Sequence, residues 1–335
     1  MQEVIIGVDI GGSKILSGIV TREGSILARK KKPTMADRDA GEIMDDICET
    51  VRELMQETRV KKEDILGVAV GAPGPLDHVT GIIKDPPNLG WRNLPLREQL
   101  SKRLGMQLLL ENDANLAALG EWKFGSSKIS RDLIYLTVST GIGGGIIIDG
   151  KLYRGIDGGA GEFGRMRMET DSDNDPFRPN RCLEDLASGT AVAYEAEKLI
   201  KQGRGQAILK FCPAGSPITA REVGAAARSG VPEALAIIHR AGQYLGTAIA
   251  NIVNIFNPDR VVIGGGTGLG LQDLLTDPIQ NCLNSWVSSS MGHNLKIEFT
   301  ALGENIGLLG CAAAVLQEIE NKGLRKSYKS PSGYH

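Results

Sequence analysis

The sequence contains no apolar run of about 18 residues, so no segment of it reads as a transmembrane helix. It also lacks a charge excess: 38 Lys and Arg face 40 Asp and Glu, for a net charge of -2. That balance gives no electrostatic case for a nucleic-acid or membrane partner. The N-terminal MQEVIIGVDI enters a strand-like run at once and has no signal-peptide layout. Cysteines are few. Cys48, Cys182, Cys212, Cys282 and Cys311 are scattered and odd in number, which suits reduced thiols in a cytoplasmic protein better than a disulfide framework. His78, His239, His293 and His335 show no metal-binding spacing and are read as structural or surface residues. What the chain has in excess is glycine, 43 residues gathered mostly in clusters. Glycine between apolar strands makes tight turns or lets backbone come close to something else. With 335 residues, 41% apolar and 23% charged, the chain fits a soluble globular protein with room for two cores.

Residues 4–10 and 15–20 are β-branched runs joined by a glycine turn and read as a hairpin, with a third strand over 25–30. Ile43, Ile47, Val51 and Leu54 recur at helical spacing within 38–57. ILGVAVGAPGPLD reads as a buried strand ending in a Gly-Pro loop, and a short helix is expected near 96–104. LLLENDANLAALGEWKFG reads as a strand that turns into a helix at Asn112–Asn115, and LIYLTVSTGIGGGIIIDG as a second glycine hairpin. Residues 164–182 are polar and irregular. Helices are expected over 183–202, 219–228 and 232–256, the last with Leu235, Ile238, Ala241, Leu245, Ile249, Ile252 and Phe256 on one stripe. RVVIGGGTGLG is another strand running into glycines, and a final helix covers about 305–321. Each half opens with a glycine hairpin, so the chain reads as a duplication of α/β domains with a cleft between them. The first domain is expected over 1–118, with the helix at 305–321 packing back on it. The second is expected over 119–304, and a disordered tail over 323–335.

From Gly7 the order is G-x-x-x-x-G followed by Ser13-Lys14, whereas a P-loop has Lys before Ser. β-branched residues follow Lys14, so the loop lies inside a hairpin and not between a strand and a helix. One reading is an ordinary β-turn. The other is a concave anion site made of successive backbone N–H groups and a hydroxyl. A second glycine hairpin at Ser139–Gly145 and a third cluster at Gly264–Gly270 favour the latter, as two phosphate clamps and an adenosine platform. Asp9 stands at the strand end, where a carboxylate could hold Mg²⁺ through water. Gly159-Ala160-Gly161-Glu162-Phe163-Gly164 matches G-x-G-x-x-G, with Glu184 downstream, but no buried strand precedes it and the match is taken as chance.

The ordered set DIGGSK, GAPGPLD, PPNLGW, ENDANLAALGE, STGIGGG, GEFG, CLEDLASGT and NPDRVVIGGG, running from about residue 4 to 320, resembles the ROK family of sugar kinases. That family belongs to the actin-like ATPase superfamily. The resemblance implies two actin-like (ribonuclease-H-like) α/β domains closing over a hexose, with ATP and Mg²⁺ in the cleft. It implies that Asp113 is the catalytic base and that Asn88, Asn112, Glu162 and Glu184 bind the sugar. Asp9, Gly11, Gly12, Ser13 and Lys14, with Thr140, Gly141 and Gly143, would lie at the phosphates and metal; Gly265 and Gly266 would lie against the adenosine. The chemistry agrees, because a sugar hydroxyl must lose its proton as it attacks phosphorus, and a positioned carboxylate contributes roughly 10²–10⁴-fold. Read without the other motifs, Asn112-Asp113 is a helix N-cap. Trp91 and Trp122 flank the sugar motifs, and packing is the expected role of each.

The chain departs from the family pattern in one segment. Many ROK kinases carry a His and three cysteines that hold a structural zinc. Here Arg165 occupies the His position, and DSDNDPFRPNRCLED keeps only Cys182. One thiol cannot supply four N or S ligands, so no zinc is expected. Arg165 is a forked, permanently charged donor that could point away, pair with Glu162 or Asp185, or meet the sugar. The expected reaction is ATP-dependent phosphorylation of a hexose, glucose to glucose 6-phosphate first. The alternatives are a kinase of an N-acetylhexosamine, mannose or fructose, or a non-catalytic ROK sugar sensor. Repressors of the family carry an N-terminal helix-turn-helix before the first hairpin; here that hairpin begins almost at Met1, so DNA binding is not expected. A homodimer is implied by the resemblance alone.

Overall fold

Val4, Ile5, Ile6, Val8 and Ile10 are all buried, which places β1 (Val4–Ile10) inside a sheet covered on both faces. The computed structural model describes residues 3–327 apart from 87, 127–129, 170–174, 176 and 288–294. β2 (Lys14–Thr21) and β3 (Ile26–Pro33) continue antiparallel from β1. β3 alternates half-buried and exposed residues and carries Arg29, Lys30, Lys31, Lys32 and Pro33. Lysines and a proline on an edge strand discourage further pairing. On the other side β4 (Ile65–Ala72) and β7 (Leu108–Asn112) run parallel to β1. β5 (Leu76–Asp77) and β6 (Ile82–Ile83) form a separate small ribbon. α1 (Ala40–Thr58), whose Asp39 caps the Gly41 amide at 2.7 Å, buries Ile43, Ile47, Val51 and Leu54. α2 (Leu96–Leu104) precedes β7, and α3 (Asp113–Phe124) follows it without a break.

The second sheet repeats the plan. β8 (Leu133–Val138), β9 (Ile142–Ile148) and β10 (Lys151–Leu152) are antiparallel, and β11 (Arg260–Gly264) and β12 (Lys296–Phe299) join parallel to β8. Numbering the strands of each sheet in chain order, both read third, second, first, fourth, fifth. The duplication expected from the paired hairpins is thus present as topology. The helices here are α4 (Leu183–Ala187), α5 (Gly189–Lys201), α6 (Ala220–Arg228), α7 (Pro232–Phe256), α8 (Gly266–Gly270) and α9 (Gln272–Trp286). The expected helix over 183–202 is two helices, because the Ser188 hydroxyl caps α5 by accepting from the Ala191 amide at 3.1 Å. α7 buries Ile238, Ala241, Leu245, Ile249 and Ile252, while Leu235 at its start is exposed.

The described chain falls into two compact units, Met1–Lys128 with Arg154–Gly159 and Asn305–His335, and Ile129–Tyr153 with Ala160–Glu304. α10 (Ile306–Ser327) therefore lies with the first sheet. The reason is steric. A Cβ at Gly7 would lie 3.0 Å from Cys311 Cβ, and one at Gly120 2.8 Å from the Gly310 amide nitrogen and from the Ile306 carbonyl oxygen. Glycines in β1 and α3 thus let α10 seat Leu308 and Cys311 against backbone. This seat holds the whole of α3, so the first unit continues past residue 118 before the chain leaves it. α10 keeps residues 323–327 helical where a tail was expected, and residues 328–335 lie outside the described residues. No helix among the described residues is long and apolar enough to cross a membrane.

Candidate active site

In the first unit the candidate residues gather at the C-terminal ends of β1, β4 and β7. Asp9 pairs with Gly71, and Ala72 with Asn112, so Asp9 and Asn112 sit on strands either side of β4. Two strand spacings put their backbones about 10 Å apart. Between β1 and β2 the Gly11 amide donates to the Lys14 carbonyl at 2.9 Å. Buried Thr34 braces the same turn, its hydroxyl donating to Gly11 O at 2.6 Å and its amide to Ser13 O at 3.0 Å. The turn is thus shaped by the fold itself. A Cβ at Gly12 would meet Asn88 Cβ at 2.9 Å, so the turn touches one of the expected sugar residues.

Asp9 faces Gly71 and packs against Gly307 of α10. Burial pushes its carboxyl up to about 6, with the Lys14 ammonium pulling the other way. Burial, then the Asp9 charge, pushes the Cys311 thiol up, so Cys311 is a packing residue that donates to Val8 O at 3.6 Å.

Asn112 is the N-cap of α3: its Oδ1 accepts from the amides of Ala114 at 2.9 Å and Asn115 at 3.2 Å. The capping reading therefore holds for this residue, and the amide group of Asn112, beside Gly74, is what it has left to offer a sugar. Asp113 is the first helical residue, half-buried, and its Oδ1 accepts from the Ala114 amide at 2.9 Å. A helix N-terminus favours the ionised carboxylate, the form a base requires. Glu111, just before them, was not singled out by the motif reading. Its Oε1 accepts from the Asn112 amide at 3.0 Å and from Asn115 Nδ2 at 2.9 Å, and its Oε2 lies 2.6 Å from Arg154 Nε.

In the second unit the turn Ser139–Gly141 joins β8 to β9. The Ser139 carbonyl accepts from the Gly189 amide at 2.7 Å and the Thr267 hydroxyl at 3.1 Å, and the Thr140 carbonyl from the Thr190 hydroxyl at 2.7 Å. Glu184 Oε2 accepts from the Ile142 amide at 2.8 Å, and a Cβ at Gly141 would collide with the same carboxylate. A residue expected at the sugar is thus hydrogen-bonded to the start of β9, next to a turn expected at the phosphates. Gly143 lies in β9 opposite Thr137. Gly265, at φ +84, lets its backbone close on Val138, while a Cβ at Gly266 would meet nothing within 4 Å, so that face is open.

Gly161 and Gly164 pack against the backbone of β9, at Gly144 and Ile142, which gives the G-x-G-x-x-G match a steric role unrelated to a dinucleotide. Glu162 and Arg165 pair at 3.3 Å and are exposed, so of the partners considered for Arg165 the structure selects Glu162. Asp185 instead accepts from the amides of Asn180 at 3.3 Å and Cys182 at 3.4 Å.

The stretch that follows has a short stem, where the Met168 amide donates to Arg181 O at 2.9 Å and the Leu183 amide to Met166 O at 2.8 Å. At the stem Arg181 pairs with Glu169 at 2.9 Å, and beyond it buried Arg178 pairs with Glu195 at 2.6 Å. The Asp175 side chain is buried, which alone would raise its carboxyl, but Lys198 Nζ at 2.9 Å and the Tyr194 hydroxyl at 2.8 Å hold it down at about 2. Trp91 is buried in the first core, and Cys182 is buried with its thiol pushed up by that burial. Among the described residues no group of three or more His, Cys, Asp and Glu is placed to hold a metal ion. His293 and His335 lie outside the described residues.

Residues 5–318 match the ROK family. The chain is 36% identical over 311 residues to a glucokinase of Streptomyces coelicolor, covering 92% of this chain and 96% of that one. It is 31% identical over 315 residues to a xylose repressor of Caldicellulosiruptor bescii, covering 94% of this chain and 78% of that one. Among solved structures, a ROK family glucokinase from Streptomyces griseus in complex with glucose and AMPPNP matches with a TM-score of 0.79 and 33% identity, over 94% of this chain and 99% of that one.

Proposed function

The chain belongs to the ROK family, and from that premise we propose that it is an ATP-dependent hexose kinase acting first on glucose, to give glucose 6-phosphate. The similarity to glucokinases over nearly the full length of both chains carries this reading. The geometry adds a capped strand-to-helix turn that presents an acidic residue, and two pre-shaped glycine turns.

In this reading Asp113 takes the proton from the sugar hydroxyl as its oxygen attacks the γ-phosphorus. The bond from that phosphorus to the β-phosphate bridging oxygen breaks, and ADP leaves. Asn88, Asn112, Glu162 and Glu184 hold sugar hydroxyls, and Arg165 sits at the rim through its pair with Glu162. Gly11, Gly12, Ser13 and Lys14, with Thr140, Gly141 and Gly143, hold phosphate; Gly265 and Gly266 face the adenosine. Asp9 fits the magnesium of Mg·ATP, being a half-buried carboxylate held against Gly307 with its pKa raised by burial. A bound Mg²⁺ supplies charge neutralisation on the phosphates. The reading includes a homodimer in the cytoplasm and no structural zinc.

The decisive experiment is an ADP-release assay with ATP and Mg²⁺ over a panel of glucose, mannose, fructose and N-acetylhexosamines. Glucose as the best substrate is expected. Turnover confined to another sugar corrects the substrate, and no turnover with any sugar, with binding intact, leaves a sensor, the reading that the xylose-repressor relative favours.

A further inference from the structure

Arg154 opens the short stretch Arg154–Gly159, which belongs to the first unit although the residues on both sides of it belong to the second. That stretch meets the rest of the first unit at two points, the first of them an ion pair. At its start Arg154 Nε reaches Glu111 Oε2 at 2.6 Å, with the Glu111 side chain 7% exposed. Near its end, the place of a Cβ on Gly158 lies 3.4 Å from His78 Nδ1. The other oxygen of Glu111 holds the Asn112 amide and Asn115 Nδ2, so one carboxylate joins the re-entering chain to the residue before Asp113 and to the one two places after it. It also sets which way the buried Asn115 amide faces. Nδ2 must meet the carboxylate, and Oδ1 is left with no hydrogen-bond partner among the described residues. A carboxylate so deeply buried is tolerable only while its charge is paired.

We infer that the Glu111–Arg154 pair is the positioning device for the Asp113 turn, setting where the base sits without touching substrate. The inference rests on the reading of Asp113 as the base. Misplacing a reacting group by about 1 Å can cost about 10²-fold in rate. Removing Arg154 leaves the buried Glu111 carboxylate without its counter-charge beside Asn112, and the turn must shift to relieve it. Arg154→Met is therefore expected to lower kcat at least about 10-fold, with the KM values for sugar and ATP nearly unchanged. Arg154→Lys keeps a charge on Glu111 and is expected to recover most of the loss. The double variant Glu111→Gln/Arg154→Met carries no lone buried charge and is expected to turn over faster than Arg154→Met alone.

The native protein, these three variants and Glu111→Gln alone, with Asp113→Asn alongside, are compared by steady-state kinetics and thermal melts. Native kcat in folded Arg154→Met, or losses that simply add in the double variant, overturns the inference. If Arg154→Met does not fold, Glu111→Gln is read in its place, and unchanged kcat there has the same force. Turnover retained by Asp113→Asn removes the base reading and this inference with it. Turnover lost in Asp113→Asn but kept in Arg154→Met removes the positioning role alone.

Discussion

In the first unit the Gly11–Ser13 turn is braced by one buried hydroxyl residue, Thr34, whereas in the second the Ser139–Gly141 turn is braced by Gly189, Thr190, Thr267 and the carboxylate of Glu184. Similar glycine-rich sequences on the same strand topology have been fixed by different chemistry. Each is tied to a residue expected at the sugar, but the ties differ. Gly12 meets Asn88 by close packing, and the start of β9 meets Glu184 through a charged hydrogen bond. The first tie transmits shape, the second shape and charge. If the turns hold phosphate as proposed, phosphate and sugar binding are coupled within each unit, and the coupling is expected to respond differently to substitution in the two.

The largest expected effect comes from filling the turns. Gly141→Val places carbon on the Glu184 carboxylate and is expected to cost at least about 10²-fold in kcat/KM, raising KM for sugar as well as ATP. Gly12→Val meets Asn88 Cβ, which no side-chain rotation moves, so the turn backbone itself must give and the loss is expected mainly in KM for ATP. The same pattern of KM losses in both would break the comparison. Next, Glu184→Ala removes the acceptor of the Ile142 amide, whereas Glu184→Gln keeps an oxygen for it. The Ala variant is expected to raise both KM values about 10-fold and the Gln variant chiefly that for sugar, since a charge-assisted bond is roughly twice as strong as a neutral one. Identical profiles for Ala and Gln would show that the carboxylate does not brace the turn.

Asp9 gives a prediction with opposite signs for stability and activity. Its native carboxyl is raised to about 6 from 3.8, so the folded state binds its proton more readily than the unfolded state. The proton's stabilising contribution is therefore full below about pH 4 and lost as pH rises through about 6. Asp9→Asn is expected to melt at a higher temperature than the native protein above about pH 6, to lose that advantage below about pH 4, and to turn over more slowly with Mg·ATP. Melting curves across that range with matched kinetics decide it; a lower melting temperature near neutral pH contradicts the burial argument. The smallest effect expected is Thr34→Val, which removes one hydroxyl bond and costs about 1 kcal/mol of stability with little change in turnover.

Much of this was legible in the sequence for local reasons. β-branched runs around glycine turns specify hairpins from nearest neighbours, and α2 falls on residues 96–104 as its pattern predicts. α9 was not read, because its buried residues Leu275, Ile279 and Leu283 surround an internal Pro278 that argues against a helix. The place of α3 in the first unit depends on Gly120 meeting Gly310, a contact that no local pattern announces. Of the site, the turns and the Asn112 cap that precedes Asp113 were visible as motifs. The bonds that join Glu184 to Ile142 and Arg154 to Glu111 span 42 and 43 residues and exist only once the chain has folded. The polar 164–182 stretch reads as irregular for the same reason: two of its ion pairs, from Arg178 and Asp175, are made with Glu195 and Lys198 of α5.

The central claim is that Asp113 acts as the base on a sugar hydroxyl. It is tested most directly by measuring glucose binding calorimetrically and ADP release kinetically for Asp113→Asn beside the native protein. The account predicts binding retained and turnover reduced at least about 10²-fold. Near-native turnover in the folded variant would contradict it.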